Sequence, residues 1–428
     1  MSLVLSLLFL LSPVAQADFD SEYKLSAFAA TMPEMKKSGV DANQAGLLAD
    51  ISLRYKFDSH LQTQWSFVTR TNPSSRDAVE KFFIDVGEAQ LTYKVGSQRW
   101  VFGYHYQAWE GTDLINPMDM VFVKNARDPL NMSSRSAPGV FLSDSSGVMS
   151  WDLFFIPEQR KSLLPGPRSP WWPRYMNLPV YSESVTLLLP DDVTYDIRRD
   201  EVLNNALKSN VALRFQFHLE GLDLSVAGFD GSAQTPILDP TLRASIVESF
   251  PGRQVLQLQN PVEITPYYYR VRTVGGAAAW TLGSWILRAA TQHTQPIGES
   301  VLLPGWSDLS VLGFERTWSW RRSDITFIFQ GVFSQRQQGQ GLSMLSSLLE
   351  KAVMGGFRWA WNEKLVWFGA IFQEQKNKSF FVHQDWKWNH NDNWSSQLAL
   401  DLFNGSEDSS LGVYKKNTQI SYSLNYKF

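Results

Sequence analysis

The sequence predicts an all-β fold: a transmembrane, antiparallel, up-and-down β-barrel of about 16–18 strands with long extracellular loops. Three observations point there. Apolar and polar residues alternate with a period of two along most of the chain. Connections between the alternating segments are short at one end and mostly long at the other. The chain carries 17 Trp and 14% aromatic residues, yet beyond its first residues it has no apolar run of the roughly 20 residues a membrane helix needs.

The N-terminus reads as a targeting segment. Leu3 to Leu11 is apolar apart from Ser6, and Ala15-Gln16-Ala17 is the small-x-small pattern that signal peptidase accepts. A signal peptide over 1–17 and a barrel domain over 18–428 are therefore expected. The segment is too short to span a bilayer. An exported chain rich in interfacial aromatics and lacking a helical span crosses a membrane as a closed barrel, where every backbone group is paired. The expected location is the outer membrane of a Gram-negative bacterium.

The strands follow from parity. Ala49, Ile51, Leu53, Tyr55 and Phe57 share one face, and Asp50, Ser52, Arg54 and Lys56 the other. The same alternation places Leu91 and Tyr93 opposite Glu88, Gln90 and Lys94, and Trp100, Phe102 and Tyr104 opposite Arg99 and His105. Short turns are expected at Asp58-Ser59, Gly96-Ser97, Asp144–Gly147, Glu220-Gly221, Gly283, Arg321-Arg322, Asn362-Glu363 and Asn389–Asp392. About eighteen strands fit between the connections, an even number that brings both termini to the periplasmic side. In the last strand Ile420, Tyr422, Leu424, Tyr426 and Phe428 share one face, and Phe428 is the final residue. Tyr426 and Phe428 resemble the C-terminal signal that outer-membrane proteins present to the barrel assembly machinery.

Composition narrows the function. With no cysteine, neither disulfides nor thiolate metal sites are available. A net charge of -3 favours no nucleic-acid partner. No cofactor, metal site or catalytic residue is expected. Charges avoid the lipid face, where a basic residue costs about 2–4 kcal/mol at the midplane. Sorted this way, the expected lumen set is basic at Arg54, Lys56, Arg70, Lys94, Arg99, Arg214, Arg270, Arg272, Arg288, Arg358 and Lys387. It is acidic at Asp50, Glu88, Asp152, Asp223, Glu315, Asp385 and Asp401. The basic excess suggests a preference for anions, with Arg270 and Arg272 as the leading cationic patch. The long segment Pro157–Ser209 is a candidate constriction or plug, in which Trp171, Trp172 and Tyr175 would stack on sugar rings or aromatic solutes, and Arg198–Lys208 would form a short helix. Asn116-Pro117-Met118-Asp119 should make a turn.

From Val95 on, Val95-Gly96-x-Gln98, Trp109 and Asn116-Pro117-x-Asp119 resemble a group of proteobacterial porins loosely related to alginate exporters. Here Trp109 is followed by Glu110-Gly111 rather than directly by Gly. The resemblance implies a monomeric or trimeric channel. The expected function is passage of small hydrophilic, anionic solutes or oligosaccharides. The expected partners are outer-membrane lipid, lipopolysaccharide and the assembly machinery. The alternatives are a dedicated export or uptake channel for a polyanionic polysaccharide, a closed scaffold barrel, and a barrel hydrolase. A hydrolase of the membrane-facing kind would need an outward His-Ser pair with an orienting polar residue. His293 lies near the extracellular rim without a recognised partner.

Overall fold

A computed structural model of the chain describes residues 18–35, 40–112, 114–128, 132–172, 181–182, 185–188, 194–198, 204–251, 253–300, 302–320, 323–337, 350–376, 378–406, 409 and 411–428. The expected signal peptide and Tyr175 lie outside the described residues.

Eighteen strands close into one antiparallel ring. In chain order they are β1 (Asp18–Thr31), β2 (Asn43–Lys56), β3 (Leu61–Thr71), β4 (Phe82–Val95), β5 (Gln98–His105), β6 (Ala137–Ser146), β7 (Met149–Glu158), β8 (Lys208–Leu219) and β9 (Leu222–Ser232). They continue as β10 (Arg270–Leu282), β11 (Trp285–Ile297), β12 (Ser307–Trp320), β13 (Ser323–Arg336), β14 (Lys351–Ala360), β15 (Leu365–Glu374), β16 (Phe380–Asn389), β17 (Trp394–Asn404) and β18 (Gln419–Lys427). Each strand pairs with its sequence neighbours, and β1 pairs with β18 from Lys24↔Lys427 to Thr31↔Ile420. Closure leaves no free edge, the condition for putting strands in lipid.

Seven of the eight expected short turns fall between paired strands, four of them with a glycine at positive φ (Gly96, Gly147, Gly221 and Gly283). Arg321-Arg322 lies outside the described residues. Asp18, the first described residue, and Phe428 sit at this short-turn end. The seam is locked there: the Phe428 N–H donates to the Tyr23 carbonyl at 3.0 Å, and the Phe428 ring meets Tyr426 edge-on at 4.4 Å. Aromatic rings gather near the same end, with Trp285 beside Trp318 and a run of Trp361, Trp359, Trp367 and Trp386 in successive contact. Arg316 faces outward here, its guanidinium 4.7 Å from the Trp285 ring centre and 4.3 Å from that of Trp318. Such sandwiching tolerates a cation at a membrane interface.

Register fixes which side chains face inward, because partners across an antiparallel pair share a face. One irregularity changes the parity. In β4, Ser66 pairs with Glu88 but Phe67 pairs with Val86, so Gly87 is an extra residue. Above this bulge Asp85 and Phe83 face inward with Glu88 and Gln90, while Phe82 and Ile84 face out at 58% and 60% exposure. A Cβ on residue 87 would stand 2.5 Å from the Ser66 hydroxyl, so glycine fits the bulge best.

The segment expected as a helix, Arg198–Lys208, contains only a short 3-10 turn, Asn204–Leu207, among the described residues. A four-residue helix, Ala78–Lys81, caps the loop between β3 and β4.

Candidate functional site

The lumen is filled from one side. The described residues of the connection between β5 and β6, within 106–136, turn into the barrel rather than over it. Its apolar run Met118, Met120, Val121, Phe122 and Val123 is at most 2% exposed. Met118, Met120, Val121, Phe122 and Trp109 pack on inward residues of the wall from β5 to β11, among them Phe141, Phe154, Phe229 and Ala290. Gly275 of β10 admits Met120 so closely that a Cβ there would lie 2.7 Å from the Met120 methyl carbon. The expected turn is present: the Asn116 side chain donates to the Trp109 carbonyl at 2.7 Å and accepts the Met118 N–H at 3.0 Å. Beyond it Ile115 reaches the opposite wall. Its N–H donates to Gln330 Oε1 of β13 at 3.2 Å, and its side chain joins Val311, Val332 and Phe372. The segment therefore bridges the lumen from one wall to the other.

Two arginines anchor this segment and the next long connection. Asp85 accepts Arg135 Nε at 2.9 Å and Nη2 at 2.8 Å, and also takes Arg160. All three side chains are under 20% exposed. Burial and the Arg135 charge pull the Arg160 pKa down, and the Asp85 carboxylate pulls it back up. One carboxylate thus holds both inward-folded segments.

Residues 159–172 pass across the mouth. The Pro170 carbonyl accepts Asn417 Nδ2 at 2.6 Å. Trp171 lies 6.0 Å from both Phe403 and Tyr414. Burial pushes the Tyr414 phenol up to about 12, so it stays a neutral donor. Trp172 is 1% exposed and packs on Leu164, Leu258 and Tyr195 within the cap. Of the aromatics expected to meet solute, Trp171 faces the cavity and Trp172 is structural.

Among the described residues a cavity of about 1060 Å³ lies along the walls of β1–β4 and β14–β18. Its basic side holds Lys24, Arg70 and Arg127, with Arg70 over the Phe28 ring at 4.7 Å and Arg127 over Phe83 at 4.1 Å. Its acidic side holds Asp385 and Asp401 around His383, whose Nδ1 lies 2.6 Å from Asp401 and Nε2 3.4 Å from Asp385. Asp50, opposite Lys24 on the neighbouring strand, and Asp128 also line it, with Phe368, Phe372, Phe381 and Phe403 on the strands of the acidic side. Basic and acidic groups across one narrow space set up a transverse field. Among the described residues no group of three or more His, Asp or Glu side chains is placed to hold a metal ion.

The expected lining residues separate into three groups. Arg54, Arg99, Arg358 and Asp385 take inward positions by register. Three others face inward but meet opposite charge or hydrogen-bonding partners. Arg214 is held by Asp152 at 2.5 Å under Trp109, Arg288 lies 4.0 Å from Glu315, and Glu88 accepts Gln64 at 2.6 Å and lies 3.3 Å from His105. Arg270 and Arg272 require correction. Their neighbours Val271 and Thr273, buried at 4% and 2%, face the inner segment, so both arginines point out of the barrel. The sequence carried the signal: Trp280 and Leu282, of the same parity, belong to the outward aromatic band. The charge rule failed because Arg270 and Arg272 lie above the apolar band, where an outward charge meets headgroups and water.

His293 also faces outward, and its partner is Asp308, 2.6 Å from Nδ1. The nearest outward hydroxyls, Thr291 and Ser310, hydrogen-bond each other at 2.9 Å rather than the imidazole.

No family model matches the chain, and no curated protein matches it by sequence. Solved structures match over nearly the whole length. The chain is similar to the outer membrane protein opdK of Pseudomonas aeruginosa at 7% identity and TM-score 0.54, covering 96% of this chain and 99% of that one. It is similar to OccAB4 of Acinetobacter baumannii at 8% identity and TM-score 0.53, covering 97% and 100%. It is also similar to OccK2 (OpdF) of Pseudomonas aeruginosa, solved in complex with glucuronate, at 7% identity and TM-score 0.53, covering 96% and 98%. At such identity the likeness establishes the fold: a closed 18-strand barrel of the outer-membrane porin type.

Proposed function

We propose that the chain is a channel of the outer membrane of a Gram-negative bacterium that passes small hydrophilic solutes, sugars included, through the cavity beside the inward-folded segment. One observation carries this reading: the segment bridging the lumen narrows the barrel but leaves a charged cavity of about 1060 Å³. A scaffold barrel has no need of opposed ionised groups in its lumen, whereas a passage uses them to orient a dipolar solute as it sheds water. The aromatic rings lining the cavity beside the acidic groups supply flat faces for sugar rings. The anion preference expected from composition loses support. Two of its arginines lie outside the barrel, and Arg214 and Arg288 stand beside carboxylates. The reading is therefore a weakly selective passage with a polarised wall.

Conductance of the refolded chain in planar bilayers tests it, with reversal potential measured under a salt gradient. Asp385→Asn with Asp401→Asn should move selectivity toward anions, and Arg70→Gln with Arg127→Gln toward cations. Arg270→Ala with Arg272→Ala should leave the reversal potential where it was. A folded barrel that carries no current would overturn the channel reading. If the Arg270 and Arg272 pair alone changed selectivity, the pathway described above would be wrong.

A further inference from the structure

The outer face of the wall from β8 to β12 changes character along its height. Near the short turns it is aromatic, with Trp280, Trp285, Phe314 and Trp318 outward. Higher up, Val226, Val274 and Leu312 are 53–59% exposed, as a lipid-facing band requires. At the long-loop end the same face turns ionic. Asp230 accepts Arg270 Nη2 at 2.5 Å and Arg272 Nε at 3.0 Å. Arg270 also donates to the carbonyls of Lys208 at 2.5 Å and Ser209 at 3.2 Å. One carboxylate between two guanidiniums leaves a fixed positive charge. Arg270 is spent on the protein, but Arg272 is not. Its side chain is 71% exposed, and among the described residues its terminal nitrogens carry no hydrogen bond. On the neighbouring strands the Asp308 carboxylate is engaged by His293 Nδ1 at 2.6 Å rather than by Arg272.

Height decides what this cation meets. Arg272 stands two residues, about 7 Å along the strand, beyond Val274. That is where hydrocarbon gives way to headgroups on the extracellular side. An arginine held at its Nε with both terminal nitrogens presented has the geometry for two-point contact with a phosphate. We propose that Arg272, positioned by Asp230 and backed by Arg270, binds the phosphate of a phosphorylated glycolipid headgroup of the lipid A type in the outer leaflet.

This proposal depends on the outer-membrane placement and is independent of conduction. The test uses the refolded barrel in detergent micelles, with bisphosphorylated lipid A, dephosphorylated lipid A and inorganic phosphate as separate probes, read by native mass spectrometry. Bisphosphorylated lipid A should be retained over the dephosphorylated form, and Arg272→Gln should weaken it about tenfold, the worth of one charge-assisted contact. Arg272→Lys should restore part of the loss. Arg316→Gln, at the opposite end of the outer face, should have no effect. Equal retention of the two lipids, an unaltered Arg272→Gln, or displacement of lipid by millimolar inorganic phosphate would each overturn the assignment. Heat-modifiable migration checks that every variant is folded. A barrel that binds lipid A phosphate but carries no current would reject the channel and leave this site standing; the reverse result would reject the site alone.

Discussion

Asp85→Ala is expected to cost the folded barrel about 3–5 kcal/mol, the penalty for leaving buried charge without its partner. Arg135 and Arg160 converge on that carboxylate with side chains 9% and 18% exposed. Arg135 keeps a bond to the Lys161 carbonyl, and Arg160 one to the Val86 carbonyl, so neither is wholly stranded. What alanine removes is the only negative charge between two positive ones. Because the arginines come from two different connections, the variant should also loosen both, and current through it should become noisier. Denaturant midpoints in micelles measure the first effect and single-channel recording the second. Asp85→Asn, which keeps the shape and half the hydrogen bonding, should fall between. A midpoint unchanged in the alanine variant would remove the anchor from the account.

Excising the bridge should have the larger effect on transport. Replacing residues 109–123 with a Gly-Ser linker should raise single-channel conductance severalfold, because the segment occupies the half of the lumen against β5–β11. The excision also uncovers the apolar wall of Phe141, Phe154 and Phe229 to water, so a loss of stability accompanies it. Phe122→Ala separates the two consequences. It should cost about 3–5 kcal/mol by opening a cavity in the packed segment while leaving the bridge across the lumen and the conductance near normal. A conductance that stayed the same after excision would mean that solute passes elsewhere.

The barrel was legible because its signal repeats. Each strand such as Ala49–Phe57 states both faces within nine residues, and turns like Gly96 and Gly147 state the punctuation. Site assignment was less legible for two physical reasons. The rule that charges face inward holds only within the apolar band, and Arg270 and Arg272 stand above it. Segment length also did not single out the bridge: described residues of the connection 106–136 cross the lumen, while residues 159–172 of the longer Pro157–Ser209 pass across the mouth. Composition would have served better. Five apolar residues between Met118 and Val123, in a connection outside the barrel strands, call for burial inside the ring. The Arg214–Asp152 pair and the cavity wall of Lys24, Arg70 and Asp401 depend on register and on which lumen half stays empty, neither of which alternation specifies. The resemblance to porins grouped with alginate exporters rests on the residues from Val95 to Asp119. In the structure these form the turn, strand and bridge that shape the passage.

The bulge at Gly87 gives β4 two reading frames. Below it even-numbered residues belong to the lumen, and above it odd-numbered ones do. Deleting that one glycine would close the ladder on the same partners, Phe67 opposite Val86 and Val68 opposite Asp85, so the bulge absorbs one extra residue while Asp85 keeps its lumen face. In such a wall an extra residue taken up as a bulge leaves every side chain beyond it on its own face, whereas one threaded into the ladder would turn them all over. A strand can therefore lengthen by one residue and still hold the common anchor of two connections, provided the extra residue is as small as the close approach at Gly87 demands.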